Sequence, residues 1–180
     1  MNKKELRIKY LDIRKKIKNK DIKSNKIFEK IIKDNDYLNS NVIAIYNNLD
    51  DEVRTNKLIE YSLKNGKKIC LPIVEGNTMR FYLINEDTKY QKSKYGIDEP
   101  ISNTVVINID LFIIPGVVFG KDLNRIGFGG GFYDRYLDDK SIKIGICFEE
   151  QIISMIESDV NDVRMEKIIT DKNIYYDKIK

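Results

Sequence analysis

The feature that most limits the fold is a glycine-rich stretch between two apolar segments. It runs from Pro115 to Leu137 and has four glycines among the five residues 127–131. The apolar run 111–114 before it is typical of a buried strand, and residues 132–137 can begin a helix. Consecutive glycines lose much backbone freedom on folding, so they suit a place where the main chain approaches a ligand. A glycine loop that leads into a helix offers oriented N–H groups to a phosphate.

The glycines alone do not identify the ligand. A dinucleotide fingerprint would need glycine at Phe132, and the chain has no GxxxxGK[ST] sequence. A flexible surface loop is an alternative on glycine content. Arg125 before the loop and Asp134 after it favour a ligand site, because a cation and a carboxylate around such N–H groups could hold a phosphate and its Mg²⁺. Asp134 could instead complement the dipole of the helix that follows.

The segment 125–137, RIGFGGGFYDRYL, is similar to the signature of the 5-formyltetrahydrofolate cyclo-ligase family, whose members are also called methenyltetrahydrofolate synthetases. Further motifs agree with the family in order: KxxLR at 3–7, EVRT at 52–55, MRFY at 79–82, YGIxEP at 95–100, FEEQ at 148–151, NDV at 161–163 and IIT at 168–170. Several ordered motifs are more specific than one glycine loop. The resemblance covers essentially the whole chain, so we predict a single domain over residues 1–180.

The resemblance implies a fold and a reaction. The fold would be α/β, a three-layer α/β/α domain with a mostly parallel or mixed sheet, akin to sugar-phosphate isomerase and CoA-transferase folds. The reaction would convert 5-formyltetrahydrofolate and ATP to 5,10-methenyltetrahydrofolate, ADP and phosphate, with Mg²⁺ as cofactor. Phosphorylation of the formyl oxygen would precede attack by N10 and loss of phosphate. Such chemistry needs positioning and charge neutralisation rather than a protein nucleophile.

The resemblance also implies candidate site residues. Arg125 and Asp134 would be catalytic, and Mg²⁺ would be held by Asp134 and Asp162. ATP would be bound by Lys3, Lys4, Arg7, Arg125, Ile126, Gly127, Phe128, Gly129, Gly130, Gly131, Phe132 and Tyr133. The folate substrate would contact Asn47, Glu52, Phe128, Gly129, Gly130, Gly131 and Phe132. Many relatives have tyrosine where this chain has Phe128 and Phe132, so any hydrogen bond from those hydroxyls would be lost here.

Several of these residues also have a purely structural alternative. Asp162 could cap a turn, and Glu52, taken alone, could be one more exposed carboxylate. The aromatic residues 128, 132 and 133 could belong to the core.

Composition narrows the chemistry further. The chain has no histidine, which excludes Ser-His-Asp and Cys-His catalysis and histidine-ligated zinc. Cys70 and Cys147 each lie in an apolar run, so we expect buried, reduced thiols. No apolar run reaches the length of a membrane span, and the lysine-rich start lacks the apolar core of a signal peptide. We therefore expect a cytoplasmic monomer that acts on small molecules, without a membrane or nucleic-acid partner.

The charge distribution leaves two rival functions open. The first 33 residues hold thirteen basic and four acidic side chains, so they carry +9 and the remainder carries −5. An RNA-binding protein could use this basic segment and would bind with steep salt dependence, although interleaved aromatic residues are missing. An enzyme of the same fold acting on phosphorylated sugars or acyl groups is the other rival, and it would not need Asp134 with Mg²⁺.

Hydrophobic periodicity gives the expected order of elements. Helices are predicted at 2–18, with Lys3, Arg7 and Arg14 on one face, from Ser24 as N-cap to 33, and from Thr55 as cap to Gly66. Strands are predicted at 42–46, 69–73, 79–83, 111–114, 142–147, 163–170 and 174–175, with an extended excursion at 85–108. Strands that alternate with helices favour a sheet covered on both faces.

Overall fold

The computed structural model describes residues 1–178. Its helices are α1 (Lys3–Lys16), α2 (Lys20–Ile31), α3 (Asn35–Leu38), α4 (Asn56–Lys64) and α5 (Phe132–Tyr136), with a 3-10 turn at Glu149–Gln151. Its strands are β1 (Val42–Ala44), β2 (Lys68–Glu75), β3 (Thr78–Ile84), β4 (Tyr90–Lys92), β5 (Asp98–Pro100), β6 (Val105–Val106), β7 (Leu111–Ile114), β8 (Val118–Gly120), β9 (Arg125–Ile126), β10 (Ile142–Ile146), β11 (Ile152–Ile153), β12 (Lys167–Ile169) and β13 (Ile174–Tyr176).

Eight strands form the main sheet, in the order β13-β12-β10-β7-β1-β2-β3-β6. The five strands from β12 to β2 pair in parallel, whereas β13, β3 and β6 are antiparallel to their neighbours. The predicted mixed α/β sheet is therefore confirmed. Because the carboxyl ends of the parallel strands lie at one edge, the loops that follow β1 and β7 meet there.

The two faces of the sheet are covered differently. One face packs on α2 and α4 through Ile27, Phe28 and Leu58. The other face packs on Phe119, Leu137 and the aromatic residues of α5. The cover on that side consists of the short helix α5 and a second sheet, β11-β8-β9, against which α1 packs. This small sheet was not predicted, because each of its strands has only two or three residues.

The predicted N-cap at Ser24 is wrong. Helix α2 begins four residues earlier, at Lys20, and Ser24 is buried inside it. The Ser24 hydroxyl accepts a hydrogen bond from the Arg54 N–H at 2.9 Å instead of capping its own helix. Thr55 does occupy the N-cap position of α4, but its hydroxyl donates to the Tyr46 carbonyl at 2.5 Å. Tertiary hydrogen bonds thus use both hydroxyls.

Two smaller expectations can be judged directly. Cys70 and Cys147 are buried free thiols, as predicted. Among the described residues, no helix is long and apolar enough to cross a membrane.

Candidate functional site

A cavity of about 720 Å³ lies at the carboxyl edge of the parallel strands. We call one side of it the phosphate wall, formed by Lys3, Arg7, Arg125, Gly127–Gly131, Asp134, Asp159 and Asp162. We call another part of its lining the strand-end wall, formed by Tyr46, Asn47, Leu49 and Glu52, which follow β1. The cavity is also lined by the hairpin β4–β5, through Tyr95, Ile97, Asp98 and Glu99.

The glycine loop connects β9 to α5 with its backbone facing the cavity. Gly129 has φ 106° and Gly131 has φ 67°, values that residues other than glycine seldom adopt. A Cβ at Gly130 would lie 2.7 Å from the Phe132 ring. Within residues 1–178, the N–H groups of 128–131 donate no hydrogen bond. They are thus available to a ligand, and the sequence of glycines is what makes this backbone possible.

Two arginines, one on α1 and one on β9, contact the backbone around the glycine loop. Arg7, on α1, donates from Nε to the Gly127 carbonyl at 2.7 Å. Arg125, on β9, is 8% exposed and donates from Nη1 to the Pro115 carbonyl at 3.2 Å. Its Nη2 lies 3.4 Å from Asp134 Oδ2, and its buried Nε has no hydrogen-bond partner in the described part of the chain. A buried donor without a partner is costly to stability.

Lys3 is paired with two aspartates. Its ammonium lies 2.6 Å from Asp159 and also contacts Asp162. Partial burial alone would lower the pKa of Lys3, but the hydrogen bonds that Lys3 donates to these carboxylates outweigh it and raise the pKa above its usual value. In the same way burial would raise the pKa of Asp162, while the hydrogen bonds from Lys3 and from the Asp159 N–H lower it. Both groups are therefore charged at neutral pH.

The carboxylates of the phosphate wall fit a Mg²⁺ ion that phosphates also hold. Asp134 Oδ1 accepts from the Val163 N–H at 3.2 Å, so Asp134 adjoins the segment that carries Asp162. No group of three or more carboxylate, cysteine or histidine side chains suited to a metal occurs in residues 1–178. Mg²⁺ commonly takes only one or two carboxylates and completes its shell with phosphates and water. The carboxylates of Asp134 and Asp162 are such oxygen ligands, and they lie next to groups that can bind phosphate.

The strand-end wall centres on a buried carboxylate. Glu52 is 5% exposed, and its Oε2 accepts from the Leu49 N–H at 2.8 Å. Its Oε1 lies 3.7 Å from Nη1 of the buried Arg14, which also makes two hydrogen bonds to Asp51, at 3.0 and 3.1 Å. Burial raises the pKa of Glu52, although Arg14 and the Leu49 N–H act against the increase.

The aromatic residues and Asn47 complete the cavity. Phe128 is 51% exposed, and the Arg14 guanidinium carbon lies 5.1 Å from the centre of its ring. Phe132 is half-buried, with the Arg135 guanidinium 5.0 Å from its ring. Asn47 donates from Nδ2 to the Asp98 carbonyl at 2.7 Å, which ties the hairpin β4–β5 to the end of β1. Exposed aromatic faces offer stacking surface to a flat ligand.

The structure brings together all but one of the sequence-predicted site residues. Lys4 is exposed and does not line the cavity, because it lies on the outer side of α1; its assignment to the ATP site is not supported. Sequence reasoning missed Tyr46 and Arg14 as site components. Tyr46 could have been found as the last residue of the predicted first strand. Arg14 was placed on one helix face with Lys3 and Arg7 but was not assigned to the site.

A model of the 5-formyltetrahydrofolate cyclo-ligase family matches residues 1–171. The 5-formyltetrahydrofolate cyclo-ligase of Haemophilus influenzae is 33% identical over 138 residues, which cover 71% of this chain and 74% of that protein. The enzyme of the same name from Mus musculus is 29% identical over 159 residues, 78% of each chain.

Two solved structures are similar over nearly the whole chain. The NMR structure of Aquifex aeolicus 5,10-methenyltetrahydrofolate synthetase has a TM-score of 0.86 and 30% identity, and the match covers 98% of this chain and 93% of that one. The 5,10-methenyltetrahydrofolate synthetase of Mycoplasma pneumoniae has a TM-score of 0.76 and 29% identity, with 95% and 99% covered. Sequence and structure therefore lead to the same group of proteins.

Proposed function

Because the chain belongs to the 5-formyltetrahydrofolate cyclo-ligase family, we propose that its cavity converts 5-formyltetrahydrofolate and ATP to 5,10-methenyltetrahydrofolate, ADP and phosphate. The observation that carries this proposal is the pairing of two unlike walls in one cavity. Open N–H groups and cations suit a polyphosphate, and the buried Glu52 on the strand-end wall suits the N–H groups of a pterin ring. The separation into two walls allows both substrates to bind at once.

The phosphate wall binds the triphosphate in this proposal. Lys3 and Arg7 supply positive charge from α1, and the glycine loop supplies N–H donors. Arg125 supports the transferred phosphoryl group from β9, beside its partner Asp134. Asp134 and Asp162 would hold Mg²⁺, which neutralises negative charge on the phosphates when it is bound. Lys3 then exchanges its two aspartates for phosphate oxygens.

The strand-end wall binds and orients the folate. Glu52 accepts hydrogen bonds from the pterin, Asn47 contacts the same substrate, and Phe128 and Phe132 cover its flat rings. The formyl oxygen attacks the γ-phosphorus and ADP leaves. N10 then attacks the formyl carbon and gives up its proton to the departing phosphate or to water, the C–O bond breaks, and phosphate leaves with that oxygen. No protein nucleophile is needed, which agrees with the lack of histidine, and the walls act by positioning and by charge neutralisation.

We further propose that the protein acts as a monomer in the cytoplasm. The cavity is formed within one chain, and the reaction needs a compartment that supplies ATP. Sedimentation of the purified protein at micromolar concentration tests the first point, and fractionation of cells tests the second.

The decisive experiment follows the absorbance of methenyltetrahydrofolate after 5-formyltetrahydrofolate, ATP and Mg²⁺ are mixed with the protein. We expect product only when all three are present, with one ADP and one phosphate formed per product molecule. Omission of ATP and chelation of Mg²⁺ are the controls. Turnover without nucleotide, or no turnover under any condition, would contradict the proposal. Tight RNA binding by a protein without turnover would favour the rival function of the basic segment.

A further inference from the structure

Tyr46 has a hydroxyl that the protein itself does not use. Tyr46 is 4% exposed and follows β1, where it lines the cavity together with Glu52 and Pro115. The same three residues also line a second pocket, which is too small to hold water. Within residues 1–178, its hydroxyl makes no hydrogen bond. The one fully enclosed side-chain polar atom without a partner in that range is Arg125 Nε. The Tyr46 hydroxyl therefore keeps some solvent contact, and the cavity is where that contact is available.

Of the three tyrosines that are buried in the described residues, Tyr37, Tyr46 and Tyr82, only Tyr46 has a hydroxyl without a hydrogen bond to the protein. Tyr37, equally buried, shares a hydrogen bond of 2.7 Å with Ser62. Tyr82 donates to Glu75 at 3.0 Å, and Tyr175 donates to Glu149 at 2.5 Å. A phenylalanine would fill the same apolar space, and no hydrogen bond to the protein would be lost. Folding alone thus does not account for tyrosine at position 46.

We propose that the Tyr46 hydroxyl donates a hydrogen bond to an acceptor atom of the folate substrate, beside the donors that Glu52 accepts. This inference rests on the proposed function and adds a specificity-determining residue to it. A pterin edge presents N–H donors next to a carbonyl oxygen. A carboxylate that accepts and a hydroxyl that donates, side by side, match these donors and this acceptor. Glu52 and Tyr46 together would therefore distinguish this edge from one on which the donor and acceptor positions are exchanged.

The surroundings keep Tyr46 in the donor form. Burial raises the pKa of Tyr46 well above its usual value, and the nearby Glu52 carboxylate adds to the increase. The hydroxyl is thus protonated at neutral pH. The groups around it are Glu52 and Arg14 of the strand-end side, Tyr133 of α5 and the thiol of Cys147. Of these, Arg14 is already bound to Asp51 and Gly116.

Tyr46→Phe tests the proposal, with Tyr37→Phe as the matched control. Calorimetry should show 5-formyltetrahydrofolate bound about 2- to 10-fold more weakly by Tyr46→Phe, the range of one neutral hydrogen bond. The affinity for ATP should not change. The melting temperature of unliganded Tyr46→Phe should stay the same or rise, whereas Tyr37→Phe should melt lower and bind folate normally.

Two outcomes would overturn the proposal. Equal folate binding by wild type and Tyr46→Phe would show that the hydroxyl does not contact the substrate. A loss of melting temperature equal to that of Tyr37→Phe would show that the hydroxyl has a protein partner. Both measurements are independent of turnover. If the wild-type protein bound folate but catalysed no reaction, the proposed reaction would be wrong. The comparison of folate binding by wild type and Tyr46→Phe would still test the role of Tyr46.

Discussion

The two walls of the cavity hold their charges in opposite ways. On the phosphate wall, Lys3 has a side chain 26% exposed and is paired with Asp159, whose side chain is 77% exposed. On the strand-end wall, Glu52 has a side chain only 6% exposed, and its partner Arg14, outside the cavity lining, has one only 1% exposed. The first set of charges is accessible and can exchange partners, whereas the second is enclosed and fixed.

This difference indicates how each ligand is bound. A triphosphate brings its own negative charge, so it can replace the exposed Asp159 on Lys3 at little cost, since exposed pairs contribute only about 0–1 kcal/mol. A pterin brings neutral donors and needs an acceptor already in position. A carboxylate held by Leu49 and Arg14 meets that need, because its orientation is fixed before the substrate arrives.

The largest expected effect is on the phosphate wall, from Asp134→Asn. Its carboxylate pairs with Arg125 and accepts from Val163, and we propose that it holds Mg²⁺. Turnover should fall about 100-fold or more, as when a charge-stabilising group is removed from an active site, while the melting temperature changes little. Turnover should be measured against Mg²⁺ concentration, because excess Mg²⁺ should restore part of the activity.

Asp139→Asn is the control for Asp134→Asn. It removes the same charge from an exposed residue outside the cavity and should behave as wild type. Superimposable Mg²⁺ curves for Asp134→Asn and wild type would remove Asp134 from the metal site.

The next effect separates the walls by ligand. Arg7→Ala should weaken ATP binding about 10- to 150-fold, the equivalent of a charge-assisted hydrogen bond of about 1.5–3 kcal/mol, and leave folate binding unchanged. Lys16→Ala, which removes an exposed lysine paired with Asp12, should change neither. Titration calorimetry with each ligand measures both constants. Equal loss of ATP affinity in the two variants would show that Arg7 has no special place at the phosphates.

Glu52→Gln should have the converse effect. Folate binding should weaken about 10-fold with ATP binding intact, and exposed Glu60→Gln on α4 should change neither. If ATP binding fell instead, Glu52 would belong to the nucleotide half.

The pH dependence of folate binding sharpens the same test. Because burial raises the pKa of Glu52, its carboxylate is protonated at a higher pH than an ordinary glutamate as the pH falls. Protonated Glu52 loses acceptor strength, so wild-type folate affinity should weaken on acidification above the usual glutamate range. Titrations across pH without ATP should show that Glu52→Gln has lost this dependence.

The smallest effect tests partner exchange on the phosphate wall. Asp159→Asn removes one competitor for Lys3 and should tighten ATP binding about 2-fold, within the range of an exposed ion pair. Asp12→Asn, which releases Lys16 instead, should leave ATP affinity unchanged. ATP titrations at low and high salt measure the difference. Weaker ATP binding by Asp159→Asn would mean that Asp159 positions Lys3 rather than competing for it.

Local patterns in the sequence predicted much of the fold and the site. The strand at Leu111–Ile114 has the predicted bounds, and the glycine loop lies between Arg125 and Asp134 at the cavity. Both features depend on residues that are close in sequence, since apolar runs and glycines determine local backbone structure. Ser24 was misjudged because its partner, Arg54, lies 30 residues away. The pairing of Lys3 with Asp159 spans 156 residues, and no spacing rule reaches so far.

The roles of Arg14 and Tyr46 could not be predicted from the sequence for a different reason. Their residue types and positions were visible, but the burial of Arg14 and the missing partner of the Tyr46 hydroxyl exist only after packing. Lys4 is a residue that the sequence assigned to the site and the structure does not place there. It lies within the motif that suggested ATP contacts, but on α1 it is exposed to solvent.

The buried cysteines have a practical consequence. Cys70 and Cys147 are the chain's two cysteines, and both are almost completely enclosed. Burial raises the pKa of Cys70 to about 12 and that of Cys147 well above its usual value, so neither forms the reactive thiolate at neutral pH. A cysteine introduced at Tyr95, at the exposed turn of hairpin β4–β5, would then be the one residue that takes up a maleimide dye. The native background already provides a single-site fluorescent reporter at the cavity mouth.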